Sequence, residues 1–101
     1  MNLDMLKKAQ ELKSKLDKAQ KELNKLVVEG EAGKGSVKVT MNGQQKIISI
    51  KISPDVINPN KAGDLEKLIL KAIGEATNKS QKVAAQQLKG ITGGLKIPGL
   101  T

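Results

Sequence analysis

Apolar and polar positions change rhythm three times along the chain. Over residues 2–26, Met5, Ala9, Leu12, Leu16, Ala19, Leu23 and Leu26 are spaced alternately by four and three. That is a heptad seam, and it predicts an amphipathic helix roughly 37 Å long at 1.5 Å per residue. From Ser36 to Ser53 the period falls to two. Val37, Val39 and Met41 alternate with Lys38 and Thr40, and Ile48, Ile50 and Ile52 alternate with Ser49 and Lys51. Asn42-Gly43 stands between the two runs. Such a pair between alternating strands is a strong hairpin signal, and it predicts a type I′ turn, whose twist suits the strands. Over residues 60–89 the helical period returns, with Leu65, Leu68, Ile69, Ala72, Ile73, Ala76, Val83 and Ala84 on one face.

The connections fill in an order of elements. Val27-Val28-Glu29-Gly30-Glu31 suits a short strand, and Ala32-Gly33-Lys34-Gly35 a loop. A two-stranded hairpin alone is marginal, so residues 27–53 are expected to form three antiparallel strands. Pro54 cannot donate to a sheet ladder and marks the end of the last strand. Asn58-Pro59-Asn60 carries start signals for the second helix. Residues 90–101, with four glycines and a proline, are expected to be a flexible tail. The predicted class is α+β, in a single domain. The second helix loses apolar character where Ser80 and Gln87 enter its face, so its second half is expected to project from the core as an arm.

Composition sharpens this picture. The 101 residues are 38% hydrophobic and contain no Phe, Tyr or Trp. Large aromatics supply much of an ordinary core, so Ile, Leu, Val and Ala must pack alone, and a partner subunit would help. Cys and His are absent, which removes disulfides, thiolate chemistry and the commonest metal ligand and general base. No apolar run approaches the ~20 residues of a membrane span, and the first residues lack the layout of a secretory signal. A cytoplasmic protein without cofactor, metal site, membrane contact or small-molecule substrate is expected.

The formal net charge is +8, and all 18 positive residues are Lys. A basic excess points to a polyanion. Lysine is a point charge suited to phosphate, whereas bidentate reading of guanine edges is mainly an Arg task. Without aromatics there is no base stacking of the kind single-strand binders use. Duplex backbone contact is therefore favoured over base reading. In the first helix Asp4, Glu11 and Asp17 each precede a lysine (Lys8, Lys15, Lys21) by four residues, the order that stabilises a solvated helix. In the second, Lys67, Lys71, Lys82 and Lys89 fall within a sector of roughly 60° opposite the apolar face. No acidic residue follows Glu75, while Lys79, Lys82, Lys89 and Lys96 do. The candidate phosphate contacts are thus Lys67, Lys71, Lys79, Lys82 and Lys89, with Lys7, Lys8 and Lys15 from the first helix.

Other chemistry fails on spacing. Gly33-Lys34-Gly35 is not a P-loop: Val28 occupies the position of the required first glycine, and Gly35 that of the Ser/Thr. A Ser-Lys dyad has no supporting motif. No enzyme activity is expected.

The order helix, strands, Asn-Gly hairpin, helix, Gly/Pro tail resembles the YbaB/EbfC family of bacterial nucleoid-associated DNA-binding proteins over nearly the whole chain. The resemblance rests on the Leu/Lys/Gln-rich first helix and the run from Val28 through Gly43. Ile50-Lys51-Ile52-Ser53-Pro54, the segment from Leu68 to Ala76, and Gly94-Leu95-Lys96-Ile97-Pro98-Gly99-Leu100 add to it. It implies a cytoplasmic, nucleoid-associated homodimer with projecting helical arms. It also implies that the protein binds double-stranded DNA and alters its conformation, with effects on nucleoid organisation and gene expression. The alternatives are a prefoldin-like helical chaperone or scaffold, and an RNA- or ribosome-associated protein using the same charges.

Overall fold

The computed structural model describes residues 3–92. It comprises helix α1 (Leu3–Lys25), strands β1 (Val27–Ala32), β2 (Val37–Asn42) and β3 (Ile47–Ile52), and helix α2 (Ala62–Thr92). Two single turns of 3-10 helix, Pro54–Val56 and Pro59–Lys61, link β3 to α2. Each is opened by a side-chain cap: Ser53 Oγ accepts from Asp55 N, and Asn58 Oδ1 from Asn60 N. Helix α2 therefore begins two residues after residue 60, and it continues through Gly90 to Thr92, residues expected in the tail. The rest of the tail lies outside the described residues.

The three strands form an antiparallel meander in the order β1-β2-β3. Val37, Val39 and Met41 are fully or almost fully buried against Ala72 and Ala76 of α2. Helix and sheet approach this closely because β1 carries Gly30 at the crossing. A Cβ there would overlap the Ala72 carbonyl oxygen and the Ala76 nitrogen. Small residues on both surfaces thus replace the missing aromatics: the gap between layers is closed by bringing the backbones together.

The two hairpins reverse the expected turn chemistry. The β1–β2 connection holds positive φ at Lys34 (57°) and Gly35 (86°), with Ser36 N donating to Gly33 O. Those are the features of a I′ turn. At Asn42-Gly43 the expected I′ turn is absent, because Gly43 does not have a positive φ. The left-handed residue is Gln45, φ 65°, and Asn42 O accepts from Gln45 N while Asn42 N donates to Lys46 O. Gly43 is instead pressed against α1. Its N–H donates to Leu23 O and Leu26 O, and a Cβ would stand 2.8 Å from Leu23 O. The hairpin tip thereby caps the last carbonyls of α1, which otherwise lack partners. Asn42 adds a side-chain bond to Asn24, and its carbonyl accepts from the buried Ser80 Oγ at 2.7 Å.

The β2–β3 register also departs from simple alternation. Thr40 pairs with Ser49 but Met41 with Ile47, so Ile48 is the extra residue of a β-bulge. Ile47, Ile50 and Ile52 lie opposite Met41, Val39 and Val37 and share their face of the sheet. Ile52 packs on the core, yet Ile47 and Ile50 are 41% and 43% exposed, because α2 crosses β1 and β2 and leaves β3 bare.

Beyond the sheet, α2 does form an arm, but not alone. Ala84 and Leu88 share a cleft with Leu16, Ala19 and Leu23 of α1, which runs in antiparallel sense, and Gln87 Nε2 donates to Glu22. Gln87 is thus a contact between the two helices of the arm, and Ser80 a contact with the hairpin tip. The molecule extends 67 Å along its longest axis and 24 Å and 19 Å across.

Candidate nucleic-acid interface

The face of α2 that packs on the sheet and on α1 fixes where its lysines stand. Leu68, Ile69, Ala72, Ile73, Ala76, Ser80 and Val83 are buried or half-buried. Lys67, Lys71, Lys82 and Lys89 are exposed and lie on the opposite side of the same unbroken helix. Between the first and last of them the helix rises roughly 33 Å, about one turn of B-DNA. Asp64 stands at the start of this stripe and Glu75 at its edge.

Glu75 is engaged by Lys79 at 3.2 Å, and Lys79 Nζ also donates to Glu29 O at 2.8 Å. Lys79 is therefore a tether between α2 and β1, unlike its four neighbours. Its pairing removes a carboxylate from the stripe's border. On α1, Lys7, Lys8 and Lys15 are all exposed. Lys8 and Lys15 share a shallow groove with Glu11 and Leu12, while Lys7 is on the far side of that helix from its α2 contact. Eight expected contact lysines thus resolve into a continuous group of four on α2, one tether, and three on α1 that do not share one face. The expected pairs Glu11–Lys15 and Asp17–Lys21 do not close to within 4.0 Å, as Glu75–Lys79 does.

Strand pairing adds a cluster that the alternation pattern did not single out. Lys38 and Lys51 lie directly opposite each other on the sheet face away from α2, with Glu31 opposite Lys38 on its other side. Next to them the Thr40 and Ser49 hydroxyls are hydrogen-bonded to each other. Alternation marks these residues as polar-face positions; only the register, set by the β3 bulge, makes them neighbours.

No group of three or more acidic residues is placed to hold a metal among the described residues, and no buried side-chain polar atom there lacks a partner. An apolar cleft of about 280 Å³ lies where the arm meets the hairpin tip, between Leu16, Leu23, Gly43 and Ala84. No helix is long and apolar enough to cross a membrane among the described residues.

Comparison with known proteins bears on this surface. The model of the YbaB/EbfC DNA-binding family matches residues 1–95. A nucleoid-associated protein of Thermoanaerobacter pseudethanolicus is 40% identical over 97 residues, covering 96% of this chain and 87% of that one. A nucleoid-associated protein of Chloroflexus aggregans is 41% identical over 92 residues, 91% of this chain and 92% of its own. The crystal structure of an uncharacterised protein from Helicobacter pylori superposes with a TM-score of 0.68 at 14% identity, over 94% of this chain and 97% of that one.

Proposed function

The chain belongs to the YbaB/EbfC DNA-binding family, a family of nucleoid-associated proteins and not of enzymes, and on that premise we propose that it binds duplex DNA as a homodimer through lysine–phosphate contacts. The observation that carries this reading is the α2 stripe. Lys67, Lys71, Lys82 and Lys89 are exposed on one side of a single helix, opposite the face that holds the fold together. Phosphate contact at those positions costs no packing. Lys7, Lys8 and Lys15 extend the positive field along the arm, where two helices rather than one meet the solvent.

The chemistry is that of the backbone. Each phosphate neutralised releases counterions, so affinity falls with salt at a log–log slope of roughly −0.9 per contact. With no Arg and no aromatic side chain, recognition is of charge and shape, and two arms bound to one duplex would alter its path. The protein would act in the cytoplasm, on the nucleoid, and influence gene expression through DNA shape. Electrophoretic shifts at two salt concentrations test this. Binding that weakens steeply with salt supports it, and salt-independent binding, or none at low salt, removes it. Competition with structured RNA separates a ribosomal role.

One observation favours the chaperone alternative. Leu3 (76%), Met5 (69%) and Leu6 (45%) are exposed near the tip of the arm, where a holding chaperone would meet a client. Suppression of client aggregation by protein that fails to shift DNA would establish that reading instead.

A further inference from the structure

Asn42 is the asparagine of this chain that is followed by glycine. That pair has a covalent reactivity of its own, apart from any turn it makes. The Gly43 amide nitrogen can attack Cγ of the Asn42 side chain. An N–Cγ bond forms and the Cγ–Nδ2 bond breaks. The Gly43 N–H proton passes to water, Nδ2 takes a proton from water, and ammonia leaves behind a cyclic succinimide. Water then opens the ring at either carbonyl, giving aspartate or isoaspartate, so that a water is consumed and an ammonia released. Glycine favours the closure because no Cβ hinders its nitrogen and its backbone turns freely. The other asparagines precede Leu, Lys or Pro. A side chain hinders the nitrogen of Leu and Lys, and proline has no N–H to lose.

In the folded protein the groups that this reaction needs are engaged elsewhere. Asn42 is 3% exposed and Gly43 is buried. The Gly43 N–H donates to Leu23 O at 2.8 Å and to Leu26 O at 3.1 Å, out of reach of a base in solvent. Asn42 Oδ1 accepts from Gln44 N at 2.9 Å and from Lys46 N at 3.0 Å. Nδ2 donates to Asn24 Oδ1 at 3.0 Å. Closing the ring takes the proton from the Gly43 N–H and removes Nδ2, so the bonds to α1 must be given up first. Buried donors and acceptors left without partners make that opening costly.

We propose that Asn42 is a deamidation site masked by the fold: the succinimide forms only after the hairpin tip has opened away from α1, and the isoaspartate product prevents the tip from closing again. Isoaspartate carries the main chain through Cβ and Cγ, which inserts an extra atom ahead of the Gly43 nitrogen and shifts its N–H off the Leu23 and Leu26 carbonyls. The former Asn42 carbonyl becomes a charged branch, placed where the buried Ser80 Oγ had a neutral main-chain acceptor. A single conversion thus undoes the fastening of the tip to both helices. Aspartate is the milder product. It keeps the main chain and an acceptor for Gln44 and Lys46, and loses the donor to Asn24.

The test incubates the full-length protein, without DNA, in mildly alkaline buffer with and without guanidinium chloride. Peptide mapping by mass spectrometry follows each asparagine, with electron-transfer fragmentation to tell isoaspartate from aspartate. Asn42 should convert first in guanidinium, and at least about tenfold more slowly in the native protein, because conversion waits on a local opening. Hydrogen exchange of the Gly43 amide, which loses its proton through the same opening, should be slowed by a similar factor. Ser80→Ala removes the bond from the tip to α2, and should speed native conversion several-fold while leaving the rate in guanidinium unchanged. The parent comparison stands without that variant. The isoaspartyl product, separated by ion exchange, should show faster exchange at Gly43 and in the last turn of α1 than the parent. Equal rates in native and denatured protein would overturn the masking, and no conversion of Asn42 in guanidinium would overturn the site itself. Native conversion slowed by a factor far from that of Gly43 exchange would show that opening of the tip is not the gate. An isoaspartyl product with parental exchange would overturn the claim that the tip cannot close again.

Discussion

At the scale of single residues, the fold depends on places where backbones touch. Gly30 and Gly43 are both buried in such contacts, against α2 and α1 respectively. Gly30→Ala should cost about 3 kcal/mol, the upper end for an over-packed site, because the obstructing atoms are backbone and cannot move aside. Gly43→Ala should also destabilise, by about 1–3 kcal/mol, although its backbone angles would accept alanine. Gln45 presents the converse case: an exposed residue with a Cβ, held in the left-handed region. Gln45→Gly should stabilise by roughly 0.5–1 kcal/mol. Urea denaturation of the three variants at one protein concentration checks the signs. If Gly43→Ala were neutral while Gln45→Gly destabilised, the assignment of roles within this turn would be wrong.

At the scale of elements, the two helices and three strands are legible in the sequence because each buries one face, and a buried face imposes its own period on the residues. What the period cannot carry is what an element touches. Asn42-Gly43 reads locally as a I′ turn, yet the carbonyls of Leu23 and Leu26 claim the Gly43 N–H and shift the left-handed position to Gln45. The I′ geometry appears instead at Lys34-Gly35, where the Ser36 N–H bonds back to Gly33 O within the loop and not to a helix carbonyl. In the same way Ser80 and Gln87 read as a weakening of the apolar face and prove to be its contacts with the hairpin and with α1. Of the candidate site, the α2 stripe was legible because angle alone places it. The engagement of Lys79 by Glu29 O, fifty residues away in sequence, was not. This difference is testable. Lys82→Gln with Lys89→Gln should weaken duplex binding and flatten its log–log salt slope by up to about 1.8, two contacts at roughly 0.9 each, with no change in stability. Lys79→Gln should lower stability by about 1 kcal/mol, the worth of a partly exposed hydrogen bond, and change the slope less. Equal slopes for all three proteins would remove α2 as the contact surface.

At the scale of the whole molecule, the bare side of β3 connects stability to binding. The register places Ile47 and Ile50 on the same face as Met41 and Val39, but α2 leaves them 41% and 43% exposed, and Ile48 at the bulge is 55% exposed. An apolar edge strand is a surface that natural proteins pair, cover or charge. Lys51 charges only its opposite face. A second copy laid on β3 would bury these isoleucines and hold two α2 stripes in one particle. Ile48→Gln with Ile50→Gln keeps the net charge and replaces no buried residue, so the protomer should fold with its helix content unchanged. Sedimentation at micromolar concentration should then show a monomer for the variant and a dimer for the parent chain. Two linked stripes bind a duplex with an effective concentration that one stripe lacks, worth on the order of 10²-fold in affinity. The variant should lose about that much, and its salt slope should halve, because each binding unit now neutralises half as many phosphates. Removing lysines instead should reduce the slope with the sedimentation coefficient unchanged. A variant that remains dimeric would move the interface away from β3, to the arms or the far face of the sheet. One that becomes monomeric while retaining the full slope would show that a single protomer makes every phosphate contact.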